Sequence, residues 1–106
     1  MMVLNAAELM KAGHKNAPLR KALDQWLQTT EAAAWENIND VRATFSAADG
    51  VVIGLRGGIQ IVATVFNVKG NQYRLITVID YERAVVRVVE VLAHAQYSKD
   101  QWKGRL

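Results

Sequence analysis

Leu19, Leu23, Trp26 and Leu27 recur at i, i+4, i+7 and i+8, the apolar stripe of an amphipathic helix. Pro18 falls in its first turn, where a missing N–H costs nothing. A shorter segment, Ala6–Ala12, predicts a preceding helix capped by Asn5 and stopped by Gly13. Ile38, Val41 and Phe45 repeat the helical spacing and predict a third helix ending near Ala48-Asp49-Gly50. Beyond Gly50 the pattern turns to β-branched runs. Val51–Leu55 reads as a short strand and a candidate sheet edge, Ile59–Phe66 as a second strand, with Arg56-Gly57-Gly58 as the turn between them. Val68-Lys69-Gly70-Asn71 supplies the residues that tolerate positive φ in the next turn. Tyr73–Asp80, a tight turn at Tyr81–Arg83 and Ala84–Ala93 complete the strands, and the polar tail His94–Leu106 reads as short helix or coil. Helices followed by a meander predict an α+β fold, with N-terminal helices packed on a three- to five-stranded antiparallel sheet.

A chain of 106 residues, 51% of them apolar, is expected to form one domain over 1–106 with its own core. The absence of cysteine excludes a disulfide framework, a thiol nucleophile and thiolate metal ligands. With His14 and His94 as the only imidazoles, no metal site and no cofactor is expected. The apolar runs are too short to span a bilayer and no targeting segment is visible, so a cytoplasmic protein without membrane contact is expected. The net charge of +3 is unevenly divided. Residues 1–53 carry five Lys/Arg against six acids, and residues 54–106 carry eight against four. A basic surplus confined to the sheet-forming half points toward a polyanion.

The tight turn at 81–83 gives the last hairpin a register. Asp80 then faces about Ala84, Arg74 faces about Glu90, and His94 comes level with Gly70-Asn71. Lys69, Asn71, Tyr73, Arg74, His94, Tyr97 and Lys99 thus gather at one end of the sheet, whereas Tyr81 and Arg83 lie at the other. That set suits a phosphodiester. Cations stabilise charge building on phosphorus, histidine moves protons near neutral pH, and tyrosine stacks on a base or assists proton transfer. RNA brings its own nucleophile, the 2′-hydroxyl. Each residue also has a plainer role: a cross-strand ion pair of Arg74 with Glu90, a solvated strand end for His94, and solvated charge in the tail. Trp26 and Trp35 read as core, and Trp102 as either a packing residue or a stacking platform.

Phe66-Asn67-Val68-Lys69-Gly70-Asn71-Gln72-Tyr73-Arg74-Leu75 resembles the F-N-I-x-G-N-x-Y-R-L block of HigB-type toxins, RelE-like mRNA interferases of type II toxin–antitoxin systems. His94-Ala95-Gln96-Tyr97 resembles the family's T-H-x-x-Y-D block. Asp40-Val41-Arg42 with Phe45-Ser46-Ala47-Ala48-Asp49 resembles its upstream D-[VIL]-[RK]…F-P-S-A-D segment. Ser98, Ala93 and Ser46 depart from the usual aspartate, threonine and proline, and Met1–Leu4 is a poor match to the family's N-terminal strand. The resemblance implies a RelE-like fold and a toxin that cleaves mRNA, generally on the ribosome, and is neutralised by a HigA-type helix-turn-helix antitoxin. Carried over by position, Asn67, Gly70, Asn71, Tyr73 and Arg74 match the first block, and His94 and Tyr97 the second. Together with the sheet-end cluster this predicts a metal-independent endoribonuclease with Arg74, His94 and Tyr97 as catalytic residues and Lys69, Asn71, Tyr73 and Lys99 binding RNA. The competing reading is a catalytically degenerate RNA-binding or protein-interaction module of the same fold.

Overall fold

The structure, a computed structural model, describes residues 1–105. Strand β1 (Met2–Leu4) precedes three helices, α1 (Ala7–Gly13), α2 (Ala17–Glu31) and α3 (Ile38–Thr44). Four strands follow, β2 (Asp49–Arg56), β3 (Ile59–Val68), β4 (Tyr73–Asp80) and β5 (Val85–Ala93). The chain closes with α4 (His94–Ser98) and a 3₁₀ turn at Gln101–Arg105.

Local chemistry sets the helix starts. Asn16 Oδ1 accepts from Leu19 N at 3.1 Å and caps α2, with Pro18 in the first turn. Asn37 Oδ1 does the same for Asp40 N at 3.1 Å in α3. Asn5 does not cap α1 as expected. Its backbone lies at φ +66°, and its Nδ2 donates to Val88 O at 2.9 Å, tying the end of β1 to β5. Gly13 closes α1 where that helix crosses α2, and a Cβ there would meet Arg20 Cβ at 2.8 Å.

The sheet order is β1-β5-β4-β3-β2. β2 to β5 form the expected antiparallel meander with β2 at an edge, but β1 runs parallel to β5 and makes the sheet mixed. Besides the Asn5 bond to Val88, contacts at the N-terminus hold this unexpected strand. Met2 N donates to Ala84 O at 2.8 Å, and the Met1 ammonium donates to Ala33 O at 2.6 Å just past the C-terminus of α2, where a cation is favoured.

The last hairpin also departs from its expected register. Its turn spans four residues, Tyr81 to Ala84, with Ala84 at φ +58°, so Asp80 pairs with Val85. A further shift between Ile76 and Thr77 leaves Val89 as an extra residue in β5. Arg74 therefore faces Leu92, and Glu90 faces Ile76.

Both faces of the sheet are covered in part, while Val52, Leu55, Ile59 and Val62 on β2 and β3 stay exposed. The helices pack on one face over Leu75, Val86, Val88 and Phe66, with Trp26 edge-on to Phe66 at 5.4 Å and Trp35 in the same cluster. The opposite face buries Ala63, Val65, Ile76 and Leu92 beneath Trp102 of the C-terminal segment. Each such fully buried large apolar side chain contributes about 1.5–3 kcal/mol relative to exposure. Trp102 is a packing residue of this second, smaller core.

Candidate functional site

The β3–β4 turn begins with Lys69 and Gly70 at positive φ, +52° and +63°, and delivers Asn71 toward the start of β4. Tyr73 and Arg74, both half-buried, follow at the start of β4. Alternation along the strand sends them to opposite faces: Tyr73 joins the helix-side core, and Arg74 projects on the side of Ile76, Leu92 and Trp102.

Arg74 is half-buried and held on several sides. Its Nη2 donates to Asn71 Oδ1 at 2.8 Å, and its Nη1 donates to Asn71 O at 3.1 Å and Tyr73 O at 3.3 Å. The guanidinium lies over the Tyr97 ring, 5.7 Å from its centroid. Tyr97 in turn stacks on Trp102, with centroids 5.2 Å apart and planes inclined by 18°. Lys103 extends the column, its ammonium 5.9 Å from the Trp102 ring and 3.4 Å from Asp100 Oδ1.

The charge around Tyr97 is also organised. Partial burial pushes its hydroxyl above the ordinary phenol value, and Asp49 pushes it further, while Arg74 acts in the opposite sense and Asp100 adds to the rise. Asp49 is the first residue of β2 and pairs with Val65. Arg42 clamps it, placing Nη2 at 3.4 Å from Asp49 Oδ1 and donating from Nε to Ala48 O at 2.9 Å. Arg42 and Asp49 had no assigned role in the sequence. Arg42 stands on α3 and Asp49 opens the edge strand β2, so the pair joins two elements that no local sequence pattern links.

His94 opens α4, with its backbone N–H donating to Gln72 O at 3.0 Å and its carbonyl accepting from Ser98 Oγ at 2.9 Å. The imidazole is exposed and makes no hydrogen bond among the described residues, and it stands one turn before Tyr97 on the same short helix.

The expected cluster is therefore divided. Asn71, Arg74 and Tyr97 meet directly, with His94 one helical turn away. Lys69 and Tyr73 meet each other on the helix side, the ammonium 5.9 Å from the ring centroid, and the Tyr73 hydroxyl accepts from Asn16 Nδ2 at 3.2 Å. Lys99 is exposed beyond α4, beside a polar groove of about 290 Å³ shared with Gln96, Gln101 and Glu90. Arg83 lies at the far end of the hairpin and pairs with Asp80 at 3.2 Å.

A fixed guanidinium beside a protonated phenol, with an exposed imidazole nearby, can bind an anionic group and move protons on it. Among the described residues, no three His, Asp or Glu side chains are placed to hold a metal ion, and no helix is long and apolar enough to cross a membrane. A family model described as HigB_toxin, the RelE-like toxic component of a toxin–antitoxin system, matches residues 19–100. No curated protein matches the sequence.

Proposed function

The chain belongs to the HigB toxin family, the RelE-like toxic components of toxin–antitoxin systems, and from that premise we propose that it is a metal-independent endoribonuclease that cleaves mRNA. Family membership implies an antitoxin partner. In the proposed reading that partner is a HigA-type helix-turn-helix protein, and the mRNA is cut in the cytoplasm on the translating ribosome.

The reaction is attack of a 2′-hydroxyl oxygen on the adjacent phosphorus. The new P–O2′ bond forms as the P–O5′ bond breaks, leaving a cyclic phosphate and a 5′-hydroxyl. Arg74 supplies the positive charge that stabilises the phosphorane-like transition state. His94, its side chain exposed at the start of α4, accepts the proton of the 2′-hydroxyl. Tyr97, kept protonated by burial and by Asp49, delivers a proton to the departing 5′-oxygen. Asn71 orients Arg74 and contacts the backbone, Lys69 and Lys99 hold the flanking phosphates, and Tyr73 supports Lys69 from beneath.

The observation that carries this reading is the Arg74 guanidinium, tethered by Asn71 and seated on Tyr97. Induction of the wild-type protein should arrest growth, and primer extension should map new mRNA ends in phase with the reading frame. Arg74→Ala should slow cleavage by about 10²–10³-fold, the cost of losing one preorganised charge-stabilising group. His94→Ala should also be strongly impaired. If both variants arrest growth and cut mRNA like wild type, these site assignments are wrong. A protein that binds RNA and leaves it intact would instead be the degenerate module.

A further inference from the structure

We propose that Trp102 is a positioning residue of this site, holding Tyr97 in the place from which it fixes the Arg74 guanidinium. The inference deepens the endoribonuclease reading and rests on it for its catalytic consequence.

Tyr97 cannot hold its own position. Helix α4 has five residues, far below the length at which a helix is stable in water without tertiary support. Support comes from the chain that follows. Asp100, at φ +60°, turns the backbone back, and its N–H donates to Tyr97 O at 3.1 Å. Trp102 then lies beneath Tyr97, 1% exposed, against Ala63, Val65, Ile76 and Leu92. It grips Tyr97 twice, by the ring stack at 5.2 Å and by its Nε1–H donating to the same Tyr97 carbonyl at 3.1 Å.

The other end of the column is Arg74. A long side chain loses much rotamer freedom when fixed, and the Tyr97 ring is the surface against which Asn71 holds it. Parallel rings at the Tyr97–Trp102 spacing admit nothing between them, which leaves the guanidinium the opposite face of Tyr97. Both faces of that ring are then occupied, so Tyr97 acts through its hydroxyl and is not a platform for a base. Trp102 also lies beyond residue 100, where the family match ends. Trp102 reaches the site from the C-terminal 3₁₀ turn.

Two substitutions that keep Trp102 apolar and buried separate stacking from filling. Trp102→Phe retains an aromatic ring under Tyr97, and Trp102→Leu does not. Full-length proteins are compared by the initial rate of mRNA cleavage in a translating extract and by the NMR shifts of the Arg74 side-chain protons, which the Tyr97 ring current displaces. Trp102→Phe should cleave within about threefold of wild type with Arg74 shifts preserved. Trp102→Leu should lose roughly 10–100-fold in rate, the scale expected of a catalytic group displaced by about an ångström, and should lose the displaced shifts. If Trp102→Leu lacks a cooperative thermal transition, Trp102→Met takes its place in the same comparison. The proposal is overturned if the non-aromatic variant keeps wild-type rate and shifts, or if Trp102→Phe falls as far as it does. If wild type cuts no RNA but the shifts still follow the ring, the endoribonuclease reading fails and the positioning role stands.

Discussion

Tyr97 lies between charges of opposite sign, and each can be removed singly. Asp49→Asn should bring its pKa down toward the ordinary 10.0, whereas Arg74→Met should raise it further, both followed by phenolate absorbance during titration. Unequal movement in those directions would show which neighbour dominates; movement of both in the same direction would contradict the geometry. A raised phenol pKa also makes a statement about stability. The folded state holds the proton after the unfolded chain has released it, so the contribution is complete below 10.0 and is lost as pH rises through the folded value. Tyr81, raised mainly by burial, acts in the same sense. The melting temperature should fall less steeply above that pH in Tyr97→Phe than in wild type. A second residue-scale prediction concerns Thr30, fully buried on α2 with its hydroxyl unpartnered among the described residues. Valine keeps the shape and removes the buried polar atom, at nearly equal helix propensity. Thr30→Val should gain about 1 kcal/mol in urea denaturation, and a loss would mean the hydroxyl finds a partner in solution.

Asn16 joins two elements through one side chain. Its Oδ1 caps α2 and its Nδ2 reaches the Tyr73 hydroxyl at the start of β4. Asn16→Ala should cost about 1–2 kcal/mol and Asn16→Asp less, since a carboxylate still caps the helix, and denaturant midpoints at constant slope would check the order. Such elements were legible because their signals are local: a capping asparagine, Pro18 in the first turn and a 3.6-residue apolar stripe announce α2 without reference to the rest of the chain. β1 was not, because three residues offer no alternation to read and parallel pairing with β5 brings together positions more than 80 residues apart. The register of the last hairpin failed for a related reason. A four-residue turn and one extra residue at Val89 are decided by packing on both faces of the sheet, and together they move Arg74 from Glu90 to Leu92. The site was partly readable. Arg74, Asn71 and Tyr97 come together as placed from the sequence, but Tyr73 and Arg74 are neighbours on a strand and must face opposite ways, which a cluster drawn along one sheet end overlooked. Asp49 reaches the site only through the edge pairing of β2 with β3, a contact with no local mark.

At the scale of the whole molecule, the net +3 is too small to steer RNA by itself, and its placement matters more. Arg74, Lys69, Lys99 and Lys103 lie toward the end of the sheet that carries Asn71 and α4, although Lys103 is partly neutralised by Asp100. Arg83, exposed to solvent, sits at the opposite end of the hairpin and is paired with Asp80. If RNA binds where the charge is gathered, about three to four phosphates are neutralised, and log Kd should change with log salt by roughly 2–3 per decade for a single strand. A 2′-O-methyl RNA, which lacks the attacking hydroxyl, allows affinity to be measured by fluorescence anisotropy without cleavage. Lys99→Ala should weaken binding and make the salt dependence shallower by about 0.7, the share of one phosphate contact. Arg83→Ala should leave both affinity and slope unchanged. Equal effects of the two substitutions would mean that RNA responds to total charge, and the sheet-end assignment would then fail. An effect of Lys99 alone would instead tie the strand's path to the same end of the sheet as Arg74, on the side where α4 and Trp102 close the second core.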